Sequence, residues 1–292
     1  MALKSVAKGI FDKTGFYRAP EKLNLLRRSF AAEGSDSPVY VVFGAAGAVG
    51  SDLVGRLAAQ QGARVIASDR DHSELDDLSK AVKDATIVPA DTQDPDAVAS
   101  VVSKAADQHG RVDGVASCVG SMLIKPAHLT STDEFVETMQ ENALSAFHIL
   151  KGSVGAMMSS GGGSIALCSS AIAHRGTANH DALAAAKGAV SSLALSAAST
   201  YSPHNIRVNV CVPGVIEAKM TEPLAESGGA RDASERMIAL GRLGQPGDVG
   251  RALEFLLHPA NSYITGTFLH VDGGLGSMAP ARAGDSKTVK QS

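Results

Sequence analysis

Val39-Tyr40-Val41-Val42-Phe43-Gly44-Ala45-Ala46-Gly47-Ala48-Val49-Gly50 reads as a short β-branched and aromatic strand that runs into a glycine turn. An Ala/Leu-rich helical stretch follows and ends near Gly62. Strand, glycine turn and helix in this order bring backbone N–H groups to a helix N-terminus, where a pyrophosphate approaches only if no Cβ stands in the way. A second strand, Arg64 to Ser68, ends at Asp69, nineteen residues beyond Gly50. That is close to the spacing of the acid that binds the adenosine ribose in dinucleotide-binding domains. Gly44, Gly47, Gly50 and Asp69 are therefore the first cofactor-binding candidates. A carboxylate accepts hydrogen bonds from ribose hydroxyls and repels a 2′-phosphate, so Asp69 favours NAD over NADP. Arg70 beside it argues the other way, because a guanidinium pairs with phosphate.

Strands continue to alternate with helices of ten to fifteen residues. Ala85 to Pro89 closes on Ala90-Asp91-Thr92, and Gly114 to Cys118 runs into Val119-Gly120. The alternation predicts an α/β fold, a Rossmann-type doubly wound parallel sheet flanked by helices. Ser131 and Glu134 have the spacing of a capping box and open a long helix to about Lys151, and Pro246 stands where another helix starts.

With 292 residues, of which 44% are hydrophobic, the chain suffices for one substantial core. Its formal net charge of -3 leaves no cationic excess for a nucleic acid. Cys118, Cys168 and Cys211 lie in apolar runs, and their spacing fits neither a disulfide framework nor a zinc site, so they read as small core residues and no metal is expected. No run approaches the roughly 18 apolar residues of a membrane span, and a soluble protein is expected.

Residues 1 to about 34 form a basic amphipathic segment, in which Leu3, Val6, Ile10 and Phe11 recur at helical spacing among seven lysines and arginines. It reads as an organelle transit peptide, and Arg28-Ser29-Phe30-Ala31 resembles a mitochondrial processing site cut after Phe30. Such cleavage takes the formal charge from -3 to about -8. The alternative is an uncleaved arm that docks on a partner or a neighbouring subunit. Residues 35–279 form the main domain, and 280–292 read as a disordered tail.

From about Val39 to Gly274 the chain resembles the short-chain dehydrogenase/reductase family. Ser117-Cys118-Val119-Gly120 stands at the family's Asn-Asn-Ala-Gly segment and keeps only the glycine. Asn142 matches the helix asparagine, Ser170 the strand-end serine and Lys187 the lysine of Tyr-x-x-x-Lys. Ile206-Arg207-Val208-Asn209 leads to Pro213-Gly214, and Ile264-Thr265-Gly266 leads to Val271-Asp272-Gly273-Gly274, both similar to family signatures. The resemblance implies that Asp91, Gly120, Lys187, Pro213 and Gly214 face the cofactor, and that Asn142, Ser170 and Lys187 belong to the catalytic group.

The tyrosine position, four before Lys187 and thirteen after Ser170, holds Leu183. Leucine exchanges no proton. The glycine turn is Gly-x-x-Gly-x-x-Gly in place of the family's Gly-x-x-x-Gly-x-Gly, and the threonine expected after Pro213-Gly214 is Ala218. His180, three residues before Leu183 and seven before Lys187 and hence on the same helix face, is the candidate replacement acid/base; Asp181 is turned away from it. Two readings follow: an NAD-dependent oxidoreductase with an altered proton donor, or a catalytically silent NAD-binding or structural subunit of an organelle assembly. The resemblance also implies a homodimer or homotetramer, in which helices near 132–151 and 179–201, too small-sided to bury their area alone, pair across a two-fold axis, with Phe268 to Val271 as a second interface.

Overall fold

The computed structural model describes residues 37–222 and 228–280. The basic segment and the tail beyond 280 lie outside the described residues. Seven strands form one parallel sheet: β1 (Val39–Phe43), β2 (Arg64–Ser68), β3 (Ala85–Ile87), β4 (Gly114–Ser117), β5 (Gly163–Cys168), β6 (Ile206–Pro213) and β7 (Phe268–Val271). Their order is β3-β2-β1-β4-β5-β6-β7, so the winding reverses between β1 and β4. Crevices at such a reversal, outside the C-terminal strand ends, are where α/β sheets bind ligands. The sheet confirms the fold class read from the sequence.

The helices are α1 (Ala48–Ala58), α2 (His72–Ala81), α3 (Pro95–His109), α4 (Thr132–Met139), α5 (Ser145–Ser160), α6 (Asp181–Tyr201), α7 (Gly228–Met237) and α8 (Pro246–Leu257). Alternating strand residues feed two cores. Val39, Val41 and Phe43 of β1 join Val98, Ile149, Val190 and Ile165 under α3, α5 and α6. Tyr40 and Val42 join Leu53, Leu57, Leu253 and Leu256 under α1 and α8. Leu253 is fully buried there, and truncating it to alanine is expected to cost about 2–5 kcal/mol.

The capping box is present: Ser131 Oγ accepts from Glu134 N at 3.1 Å, and Glu134 Oε2 accepts from Ser131 N at 2.8 Å. Lys125, which donates to the same carboxylate, and the Ser131 amide hold the Glu134 carboxyl down at about 2. Pro246 is the first residue of α8, as the sequence predicts.

Several boundaries differ. The first helix stops at Ala58, β3 at Ile87 and β4 at Ser117, while the long helix runs past 151 to Ser160 and is interrupted at Gln140–Leu144 by a wider π turn. The helix expected from 179 starts at Asp181, because Asn179 has a left-handed φ of 62°. The small-sided reading fits α6 but not the segment before it, where Phe135, Val136, Leu144 and Phe147 are exposed. One described stretch, Asp181–His204, has the length and hydropathy of a membrane span, yet half of its apolar window is buried, and Ala186, Val190 and Ala194 of α6 lie in the core.

Candidate active site

The glycine turn joins β1 to α1 at the reversal point. Gly44 has φ +72°, and a Cβ on it would stand 2.7 Å from the carbonyl carbon of Cys118, so the fold itself requires glycine. Gly50 is also required internally, since its Cβ would come 2.0 Å from Gly44 O. Gly47 is different. It is the exposed N-cap of α1 with φ -66°, and its Cβ would meet Gly44 O at an ordinary 3.5 Å. No side chain caps this helix start and no acid stands in its first turn, so its amides are suited to an anion. The turn thus fits a dinucleotide's pyrophosphate, with Gly47 as the glycine that no internal contact demands.

Asp69 leaves the end of β2 half-buried. Its Oδ2 accepts from Ala46 N of the turn at 3.0 Å, and its Oδ1 accepts from Arg70 N at 2.7 Å. Each oxygen retains a lone pair toward a ribose. Arg70 turns aside, its Nη1 lying 3.4 Å from Glu141 Oε1. Asp91 is exposed beyond β3, and its Oδ1 accepts from Gln93 N at 2.9 Å, which fixes the loop into α3.

Asn142 occupies the π turn. Ser145 N reaches back five residues to Gln140 O, and Ser145 Oγ donates to the same carbonyl at 3.1 Å. The Asn142 Nδ2 donates to Thr138 O at 2.9 Å and to Ser121 Oγ at 3.1 Å, while its Oδ1 accepts from Ser121 N at 3.3 Å. The side chain is buried and orients the loop after β4. π turns of this kind are frequent at functional sites.

Lys187 projects from α6 to the same loop. Its Nζ donates to Cys168 O at 3.2 Å, and its own carbonyl accepts from Ser169 Oγ at 2.8 Å and Ser191 Oγ at 3.1 Å. Burial pushes the ammonium below the ordinary lysine value, and the Cys168 and Cys118 thiols act in the opposite sense. Asn142 and Lys187 converge at Gly120, where a Cβ would meet Asn142 Oδ1 at 2.7 Å and Lys187 Nζ at 2.8 Å. Ser170, in extended backbone, follows β5 two residues after the carbonyl that Lys187 holds.

Leu183 lies one turn before Lys187 and is 6% exposed. His180 is the N-cap of α6 with φ -118° and ψ 23°; its carbonyl accepts from Ala184 N at 2.7 Å, and its Nδ1 is 2.6 Å from Ala178 O, which ties that ring nitrogen to the loop before the helix. The positive φ of Asn179 ends the helical backbone immediately before His180. Asp181 accepts from Ala127 N at 2.9 Å and braces a loop. Pro213 ends β6 and Gly214 follows it, and a Cβ on Gly214 would stand 2.8 Å from Asp272 Cα, so that glycine serves the packing of the β6 and β7 ends. A cavity of about 520 Å³ opens beyond them, lined by Val215, Ile216, Leu240, His270 and Met278 among others; Lys187 and Ser170 lie outside its lining. The supporting residues Ser121, Glu141, Ser169 and Ser191 escape sequence reading, since each is a small or polar residue of no motif.

A parallel sheet with a glycine turn at its reversal, and an asparagine and a lysine closing on the loop after its central strand, defines a nicotinamide-dinucleotide oxidoreductase domain. The chain belongs to the short-chain dehydrogenase/reductase family: the family profile described as enoyl-(acyl carrier protein) reductase matches residues 44–276. The chain is 32% identical over 249 residues to a 3-oxoacyl-(acyl-carrier-protein) reductase FabG of Thermotoga maritima, covering 82% of this chain and 98% of that protein. It is 33% identical over 241 residues to the cis-4-hydroxycyclohexanecarboxylate dehydrogenase of Sinomonas cyclohexanicum, covering 81% and 95%. Its fold matches a short-chain dehydrogenase/reductase from Mycobacterium ulcerans with a TM-score of 0.78 at 28% identity, over 84% of this chain and 92% of that one.

Proposed function

We propose that the protein is an NAD-dependent oxidoreductase that interconverts an alcohol and a carbonyl compound, with Lys187 taking the proton-donor role that Leu183 leaves open. The observation that carries this reading is the convergence of Asn142 Oδ1 and Lys187 Nζ on Gly120. A nicotinamide cofactor, when bound, supplies or accepts the hydride. Gly47 and the uncapped start of α1 would hold its pyrophosphate, and Asp69 its ribose. The chain's own part is the proton and the orientation of the substrate. Ser170 hydrogen-bonds the substrate oxygen, and the Lys187 ammonium, its acidity raised by burial, passes a proton toward that oxygen during reduction and recovers it during oxidation. The choice of NAD over NADP is supported by the Asp69 carboxylate and by Glu141, which engages Arg70.

The competing reading is a catalytically silent NAD-binding subunit, and Leu183 favours it. One assay separates the two. Purified protein is mixed with NADH and a panel of carbonyl compounds, or with NAD and the matching alcohols, and absorbance is followed; 3-oxoacyl thioesters and cis-4-hydroxycyclohexanecarboxylate head the panel because relatives are named for them. Sustained turnover that Lys187→Ala abolishes supports the enzyme. Tight NAD binding without turnover across the panel supports the silent subunit. Leu183→Tyr alone is expected to add little activity, since Ala218 and the glycine turn also depart from the family pattern. Residues 1–30 are proposed as a mitochondrial leader, which import and N-terminal sequencing of the mature chain would test.

A further inference from the structure

All three cysteines of the chain stand in one lateral row across the sheet. Cys168 of β5 is the register partner of Cys211 of β6, while Cys118 directly follows Ser117, the β4 residue paired with Leu167. All three pack on the side of the sheet covered by α1 and α8. Cys118 and Cys168 are partly exposed at the C-terminal edge, whereas Cys211 is buried. We propose that Cys118 and Cys168 are a modification site, an oxidisable thiol pair that a peroxide closes to a disulfide beside the cofactor-binding loop.

Geometry carries the pairing. Adjacent parallel strands lie about 4.8 Å apart, within the roughly 4.4–6.8 Å Cα separation of disulfides, so the strands need not part. The neighbouring Cys118 thiol and the charge of Lys187 hold the Cys168 thiol below the ordinary thiol range against the effect of burial, and Cys118 is pushed up. Cys168 is therefore the attacking sulfur. Its thiolate attacks one peroxide oxygen and the O–O bond breaks, which leaves a sulfenic acid on Cys168 and, with one proton, releases a first water. Cys118 then attacks the Cys168 sulfur and displaces the hydroxyl, which leaves with the Cys118 proton as a second water. Two thiols lose two electrons and the peroxide gains them. Among the described residues no cluster of three or more histidine, cysteine or acidic side chains is arranged to hold a metal ion.

The bridge would bear on the site directly. Cys168 O accepts from Lys187 Nζ, and Cys118 lies two residues before Gly120, so drawing the two sulfurs together would shift the carbonyl that holds the Lys187 ammonium and the loop on which it converges. The test uses the full chain treated with equimolar hydrogen peroxide, then unfolded and labelled with a maleimide. The expected result is a fall from three labelled thiols to one, with peptide mapping that links Cys118 to Cys168. Cys211→Ala should preserve the link, and Cys118→Ala should leave a sulfenic acid on Cys168 that dimedone traps. Three thiols persisting after peroxide, a link that includes Cys211, or oxidation of Cys211 at the same rate as the pair would overturn the proposal. These readouts are masses of the unliganded chain, so they are independent of turnover.

Discussion

Asn142 Oδ1 and Lys187 Nζ, carried by different helices, both lie within 3 Å of the point where a Gly120 side chain would begin, at 2.7 and 2.8 Å. A methyl group there displaces the lysine head, which is the more flexible of the two, and disturbs the amide that orders Ser121. Gly120→Ala is expected to weaken NADH binding at least ~10-fold, or ~1.4 kcal/mol, while the melting temperature falls by only a few degrees. Titration calorimetry checks this, and unchanged affinity would dissociate the loop from the lysine.

Lys187 makes a pH prediction of definite sign. Burial depresses its folded pKa below 10.5, so at neutral pH the folded state carries the cost of an enclosed charge. That cost is relieved as pH rises through the folded pKa toward 10.5, because there the unfolded chain binds more protons than the folded one. Lys187→Met should melt higher than wild type near neutrality, with the gap narrowing as pH rises, and should lose carbonyl reduction altogether. Thermal melts across the alkaline range read the first effect. A variant that melts lower at every pH would show the ammonium to be net stabilising.

Asp69 serves two partners, the Ala46 amide of the turn and the proposed ribose. Asp69→Asn keeps an acceptor for Ala46 but removes the charge that repels a 2′-phosphate. The ratio of NADP to NAD affinity is expected to rise ~10-fold, and equilibrium titration with both nucleotides measures it. A ratio that stays constant would assign Asp69 to the loop alone.

Phe135, Val136, Leu144 and Phe147 place large apolar side chains in water along α4, the π turn and α5, and Leu195 does so on α6. These faces are proposed to meet across a two-fold axis. Phe147→Glu and Ala189→Glu should each shift the light-scattering mass toward monomer at micromolar concentration. Wild-type protein that is already monomeric there would leave the faces to a different chain.

The sheet was legible because β1 to β6 are apolar runs separated by helix-length polar periods, and the capping box and Pro246 mark their helices through local chemistry. Glycine positions were legible too, but not their reasons: Gly44 and Gly50 answer to backbone contacts with Cys118 and the turn itself, and only Gly47 faces outward without one. The start of α6 was misplaced because helical spacing was extended through Asn179, whose left-handed backbone no periodicity reveals. The row of cysteines was invisible for another reason. Cys118, Cys168 and Cys211 are distant in sequence, and only strand register sets them side by side.

The π turn at Gln140–Leu144 has a consequence for how this segment tolerates change in length. One extra residue is accommodated between Thr132 and Ser160, so the rows of side chains before and after it are out of phase by about 100°. Removing a single residue there would let the whole segment wind as an unbroken α-helix, which is the easier backbone, and Asn142 would rotate away from Ser121 while Ile149 and Met157 kept their places in the core. The fold would survive such a deletion and the site would not.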